Sequence, residues 1–232
     1  MLDITITNLS NKKETYKLKI INTHLPFLEK ESDQGKIIRD KTIQETLKYF
    51  NILEKKLEIN EYIFLMGDLN YRISFNNDNI KQSNFIELLE KKDIQNFNAN
   101  NYLLFDQHHN SITNNVILSG YNEGKNNNGP TFFPTCKLIK QCPINEIRKY
   151  QINKGNTQRI PSWCDRILYM GNNIKCLLYE SFDKGQTCKS DHIPVIGLYE
   201  ITSLEQKGSN IYYQKYLKYK QKYLELKKII YI

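Results

Sequence analysis

The stretch YIFLMGDLNYR, residues 62 to 72, decides how the rest of the chain is read. Five apolar residues run into Gly67, and Asp68 and Asn70 stand where the run stops. A short apolar run closed by glycine is the pattern of a strand buried on both faces, and residues just beyond such a strand hold polar chemistry rigidly beside a cleft. Asp68 and Asn70 are therefore the first candidate site residues. The alternative at this point is a plain turn, because Asp and Asn bond their own backbone and favour turns.

On the N-terminal side, residues 2 to 7 (LDITIT) and 15 to 22 (TYKLKIIN) alternate apolar and polar positions across Asn8, Ser10 and Asn11, which predicts a β-hairpin. The second strand runs into Asn22-Thr23-His24-Leu25-Pro26, so His24 also sits at a strand end; a lone His is more often structural than catalytic. From Ser32 to Leu57, Ile37, Ile38, Thr42, Leu47, Phe50, Leu53 and Leu57 recur at threes and fours among charges. That spacing predicts one long amphipathic helix capped by Ser32 or Asp33. Strand, helix and strand in succession give an α/β class.

On the C-terminal side, a second helix is predicted over 80 to 91 with Phe85, Leu88 and Leu89 inward, followed by loop-rich chain through Gly124. Thr131 to Lys137, TFFPTCK, carries a proline and reads as an ordered loop or edge segment, not a central strand. RIPSWCDRIL, residues 159 to 168, turns from proline into a strand bearing Asp165, with Trp163 and Cys164 read as packing. Strands Ile174–Tyr179 and Ile193–Ile201 close the body, and Ser190-Asp191-His192 feeds the last.

With 232 residues and 40% hydrophobic composition, the chain supports one sizeable core, and no linker divides it. The formal charge of +8 suggests a polyanion binder until it is located: residues 205 to 232 hold seven Lys against two Glu, +5, leaving +3 for the body. In that tail Tyr212, Tyr216, Tyr219, Tyr223, Leu226 and Ile230 form a heptad stripe on a predicted Lys-rich helix. It fits packing on the body or weak self-association better than a basic helix lying on lipid or nucleic acid. Five cysteines without a C-x-x-C pair or a His partner at zinc spacing signal neither a disulfide framework nor a zinc site. A reducing compartment fits them. No basic-then-apolar leader and no apolar run near ~20 residues is present, so the expectation is a soluble intracellular protein on the cytoplasmic side.

Asn22, His24, Asp68, Asn70, Asp165, Asp191 and His192 thus gather at strand and loop boundaries of an α/β body. Phosphate-ester hydrolysis needs such a set. One carboxylate deprotonates water, a second orients a His, and neutral or cationic donors meet charge growing on the phosphoryl oxygens.

GDLNYRI (67 to 73), NTHL (22 to 25), FDQ (105 to 107), GYNEG (120 to 124), FFPTCK (132 to 137), RIPSWCDRIL (159 to 168) and SDHIPV (190 to 195) resemble, in order, the motifs of the inositol polyphosphate 5-phosphatases. That family lies in the endonuclease/exonuclease/phosphatase superfamily. GDLN and SDH are shared with the superfamily's nucleases, whereas P-T-x-K with R-x-P-S-W-C-D-R-I-L is specific. The resemblance implies a DNase-like two-sheet β-sandwich flanked by helices. It also implies that Asp68 activates water, Asn70 supports the pentavalent phosphorus, His192 stabilises the scissile phosphate, Asp165 orients His192, and Asp191 lies at the metal and water site. His24 and Asn22 would contact the same phosphate, Lys137 and Arg159 a neighbouring inositol phosphate, and Arg166 would form a supporting ion pair. Magnesium is the implied cofactor and a phosphoinositide or inositol phosphate the implied substrate. Peripheral membrane contact stays open and nucleic acid is not expected.

Three departures qualify this. The family's domain begins earlier, with a strand ending in Gln-Glu whose Glu is the principal magnesium ligand, and residues 1 to 21 offer only Asp3 and Glu14. Cys136 stands where the family has Tyr in P-T-Y-K, and an Asn-rich bulge spans 125 to 129. The expectation is a domain over 1–203 lacking its N-terminal strand, helix and strand, followed by a basic helix over 204–232 similar to tails of giant-virus proteins. The activity expected is removal of the 5-phosphate. The rivals are a catalytically silent phosphoinositide-binding protein and a nuclease on the same scaffold.

Overall fold

The structure is a computed structural model describing residues 1–7, 15–28, 33–53, 56–76, 78–91, 95–113, 117–140, 149–152, 160–182 and 189–202. Arg159 and the predicted tail helix lie outside the described residues.

Five strands form one sheet in the order β1-β2-β3-β5-β4, and β6 and β7 pair separately. Their bounds are β1 Leu2–Thr7, β2 Thr15–His24, β3 Glu61–Asp68, β4 Asn122–Glu123, β5 Asp165–Gly171, β6 Ile174–Ser181 and β7 Val195–Ile201. The predicted hairpin is β1 against β2, antiparallel. From β2 the chain passes through helix α1 (Asp33–Tyr49) to β3, which lies parallel to β2, because a parallel pair needs a crossover of this length.

β3 explains its own sequence. Ile63 and Leu65 join Ile21, Leu25, Ile43 and Leu47 in the core that includes α1, while Tyr62 and Phe64 join Tyr169, Cys176 and Tyr179 in the core shared with β6 and β7. A strand buried on both faces must be apolar at every position, which is why the run does not alternate. The rings of Phe64 and Tyr199 meet edge to face at 4.9 Å, tying the two sheets together. A third core gathers Phe75, Phe85, Leu89, Tyr102 and Trp163 around α2 (Asn79–Lys91), with Trp163 fully buried, as its packing role requires.

The first helix ends eight residues before the predicted Leu57. Asn51 adopts φ 54° and the Ile52 and Asn51 amides return to the Leu47 and Lys48 carbonyls, at 2.8 and 2.9 Å. This is a Schellman stop with Asn in the left-handed position, and the apolar spacing that continues to Leu57 hides it. Two short helices, α3 (Asn100–Leu103) and α4 (Gln107–Thr113), occupy chain that reads as loop. Asp106 caps α4 by accepting from the His109 amide at 2.8 Å.

The other Asp106 oxygen accepts from Arg166 of β5, which also donates to Glu123 of β4 at 3.0 Å and to the Trp163 carbonyl at 2.7 Å. Arg166 and both carboxylates are buried. Removing one member of a buried ionic group strands the others, at about 3–5 kcal/mol. Arg166→Met should lower the unfolding free energy by about that amount, measured by urea titration. Gly67, at φ +125°, faces the Thr23 carbonyl so closely that an added Cβ would lie 2.0 Å from the oxygen. Gly67→Ala should push the ends of β2 and β3 apart, lowering Tm and broadening the His24 and Asp68 NMR signals together.

Candidate active site

Register brings the site together. Asp68 closes β3, with His24 as its partner at the end of β2 and Asp165 as its partner at the start of β5. His24 Nε2 lies 3.3 Å from Asp68 Oδ2, and the Leu25 amide donates to the Asp68 carbonyl at 2.9 Å. His192 arrives on the loop before β7. Its Nδ1 meets Asp165 Oδ2 at 2.9 Å, and its Nε2 points toward Asp68 Oδ2 at 3.9 Å. Thr135 Oγ1 accepts from the Asp165 amide at 3.2 Å, fixing the strand start beneath the imidazole.

Burial raises the Asp68 carboxyl above its usual range, and the Asp165 carboxylate adds to this; His192, the Asn70 amide and His24 pull it back. Burial alone would lower His192, but its hydrogen bonds to Asp165 and the Cys136 sulfur outweigh that and push it up to about 11. His192 is therefore a cation at neutral pH, held on one nitrogen and presenting the other to the cleft.

Asn70 sits at φ 53° and is buried. Its amide N–H donates to Asp68 Oδ1 at 3.0 Å, its side-chain Nδ2 to the Leu25 carbonyl at 2.9 Å, and its Oδ1 accepts from Arg72 Nη2 at 2.6 Å. Leu25 and Arg72 engage the Asn70 side chain while its backbone amide steadies the Asp68 carboxylate. Asp68-Leu69-Asn70 is thus a turn that also carries candidate site groups. Asn22, exposed on β2 two residues before His24, lies on the same strand face.

Asp191 lies beside two lysines. Its carboxylate faces Lys140 Nζ at 3.3 Å and Lys137 Nζ at 4.0 Å. Among the described residues, potential ligand atoms converge, within 4.8 Å of one another, at Asp68, Asp165 and His192. Two carboxylates this close, one of them raised by the other, suit a divalent cation taking oxygen ligands.

Arg72, Thr135, Cys136 and Lys140 were not among the candidates. Arg72 spans Asn70, the Cys136 sulfur at 3.6 Å and the Phe27 ring at 5.3 Å. The sequence signal for it is its place in GDLNYRI, two residues after Asn70. For Lys140 it was a second Lys three residues after Lys137.

Comparison with known proteins supplies context. The type IV inositol polyphosphate 5-phosphatase 9 of Arabidopsis thaliana is 32% identical over 163 residues, covering 68% of this chain and 34% of that protein. The polyphosphatidylinositol phosphatase INP53 of Saccharomyces cerevisiae is 28% identical over 88% of this chain and 17% of its own length. The chain thus spans about a third or less of these relatives. Among solved structures, a synaptojanin inositol polyphosphate 5-phosphatase domain, in complex with inositol (1,4)-bisphosphate and calcium ion, superposes with TM-score 0.52 at 20% identity, covering 95% of this chain and 61% of that one. A Cimex nitrophorin ferrous NO complex gives 0.51 at 19% identity, over 87% and 64%. The two share a fold and differ in what they hold, so the fold alone does not assign chemistry. The family model named Endonuclease/Exonuclease/phosphatase family 2 matches residues 4–198, and the chain belongs to that family.

Proposed function

We propose that the chain hydrolyses a phosphate monoester on a multiply phosphorylated inositol headgroup, removing the 5-phosphate from a phosphoinositide or a free inositol phosphate. The observation that carries this is the Asp165–His192 pair aimed at Asp68 across the β3–β5 register, with Lys137 and Lys140 beside it. Asp68 takes a proton from water as the oxygen attacks phosphorus. Its raised affinity for a proton brings the base nearer to working pH, where general-base help is worth ~10²- to 10⁴-fold. His192 donates from Nε2 to a phosphoryl oxygen as negative charge grows there, while Asp165 holds Nδ1 and stabilises the cation. His24 and Asn22 line the same side. The bond from phosphorus to the ring oxygen breaks, that oxygen regains a proton, and inorganic phosphate leaves.

We take the cation to be magnesium: the Asp68 and Asp165 carboxylates would hold it, and it would supply Lewis-acid polarisation of a phosphoryl oxygen. Lys137 and Lys140 would meet a neighbouring phosphate, and a headgroup phosphate arriving there competes with Asp191 for both.

Phosphate release from vesicles containing phosphatidylinositol 4,5-bisphosphate, and from inositol 1,4,5-trisphosphate, tests the proposal. Release that needs magnesium and stops with chelator is expected. Headgroup binding that survives chelation, with no release from either substrate, would replace hydrolysis by a binding role. Asp68→Asn should reduce turnover by about 10²-fold or more.

The same variant should be more stable than the wild type. Because folding raises the Asp68 affinity for a proton, its ionisation opposes folding as pH rises above the unfolded value near ~3.9. A neutral amide removes that opposition, so Tm at pH 7 should increase, and the increase should vanish below pH ~3. Lys140→Ala should raise KM for the more highly phosphorylated substrate and leave kcat unchanged, as loss of uniform binding requires.

A further inference from the structure

Three segments remote in sequence carry the proposed base and the two imidazoles: His24 ends β2, Asp68 ends β3, and His192 lies on the loop before β7. Strand register aligns the first two, but His192 stands outside the β2–β3 and β3–β5 ladders. Arg72, four residues after Asp68, reaches all three segments. Its Nη2 donates to Asn70 Oδ1 at 2.6 Å, and the Asn70 amide donates to Asp68 Oδ1 at 3.0 Å. Its Nη1 donates to Cys136 Sγ at 3.6 Å, and Cys136 forms an antiparallel bridge with His192. On either side of that bridge the Ile193 amide donates to the Thr135 carbonyl and the Leu138 amide to the Asp191 carbonyl, both at 2.9 Å. The guanidinium also lies over the ring of Phe27, three residues beyond His24, at 5.3 Å from its centroid.

Arg72 is itself held. It is buried, and Gln107 at the start of α4 engages its backbone twice. Gln107 Oε1 accepts from the Arg72 amide at 3.1 Å, and the Gln107 amide donates to the Arg72 carbonyl at 2.9 Å. Arg39 of α1 fixes the Gln107 side chain in turn, donating from Nη2 to Oε1 at 2.7 Å. The root of the arginine is therefore anchored to two helices, and its head is free to act on the cleft side only through the contacts above.

We propose that Arg72 is a positioning residue, a clamp whose guanidinium sets the spacing of the His24, Asp68 and His192 segments. The residue type suits the task. A guanidinium offers its N–H donors in a fixed planar fork and stacks on ring faces, so one group serves an amide oxygen, a sulfur and an aromatic ring together. An ammonium is a compact point charge on a flexible stem and cannot hold the same three partners. Spacing of this kind acts on turnover, because a displacement of about 1 Å among reacting groups costs on the order of 10²-fold in rate. As a device for catalysis the clamp rests on the hydrolytic proposal, whereas the spacing of the imidazoles is readable without substrate.

The test is NMR of the full, substrate-free chain labelled with ¹⁵N-histidine, which has only four His and hence few imidazole signals. Arg72→Lys keeps the charge and removes the fork. It should shift or broaden the His24 and His192 ring signals together and leave those of His109 in place. Phe27→Leu, at a half-buried ring, releases one arm and should move His24 while His192 stays. With inositol 1,4,5-trisphosphate and magnesium, Arg72→Lys should lower kcat by about 10- to 100-fold with KM within about twofold of wild type. A folded Arg72→Lys chain whose His24 and His192 signals keep their wild-type positions would overturn the clamp and make Arg72 ordinary core packing. So would a loss of turnover carried by KM with kcat unchanged. Where Arg72→Lys does not fold, Phe27→Leu decides, and an unmoved His24 overturns the proposal. Imidazole signals that move as expected in a chain whose wild type releases no phosphate would uphold the clamp and remove the hydrolytic proposal alone.

Discussion

The antiparallel register of β3 against β5 is the constraint on which the site depends. It sets Asp68 opposite Asp165, while the parallel register of β2 against β3 sets His24 opposite Asp68. A slip of one residue in either ladder would turn the side chain to the other face of the sheet, replacing a carboxylate with an apolar neighbour or an arginine. Both faces of β3 are packed, so such a slip would also exchange two cores, and this double burial is what specifies the register. The apolar run at 62 to 66 therefore acts on chemistry at a distance of only two residues, by forbidding any other alignment.

Arg166 shows the same economy from the other side of β5. Asp165 is half-buried and turned toward the cleft, while its neighbour is locked under α4 and β4 by Asp106 and Glu123. Tyr179 adds a hydrogen bond to Glu123 at 2.7 Å, bringing β6 into the same group. The strand that carries Asp165 is thus anchored by charge at its next residue. Buried ionic groups are poor sources of net stability, and here the group serves to fix the strand start that carries Asp165.

Much of this was legible in sequence because it rests on patterns with a physical period. The hairpin, α2, the doubly buried β3 and the strand-end placement of His24, Asp68 and Asp165 follow from alternation and run length. What stayed hidden depended on neighbours remote in sequence. Asn51 ends α1 although apolar spacing continues, because a left-handed Asn overrides periodicity. Asp106 stands in the FDQ motif, but only the fold shows that Arg166, 60 residues away, shares it with the α4 cap. That Leu25 and Arg72 both engage the Asn70 side chain is likewise invisible in the sequence. Only the folded loop sets Lys137 and Lys140 beside the Asp191 carboxylate.

The electrostatics of the cleft follow from one imbalance. Two carboxylates, Asp68 and Asp165, meet at the end of a buried strand, and the protein answers with cations on two sides: His192 on Asp165, and Arg72 acting through Asn70. The answer is incomplete at Asp68, whose ionised form remains disfavoured by burial and by Asp165. A site left short of positive charge in this way is unfavourable for the empty protein and favourable for whatever supplies the charge, whether a divalent cation or a proton taken from water. The same shortfall that opposes folding is what gives Asp68 its appetite for a proton, so stability and the proposed chemistry pull in opposite directions at this one residue.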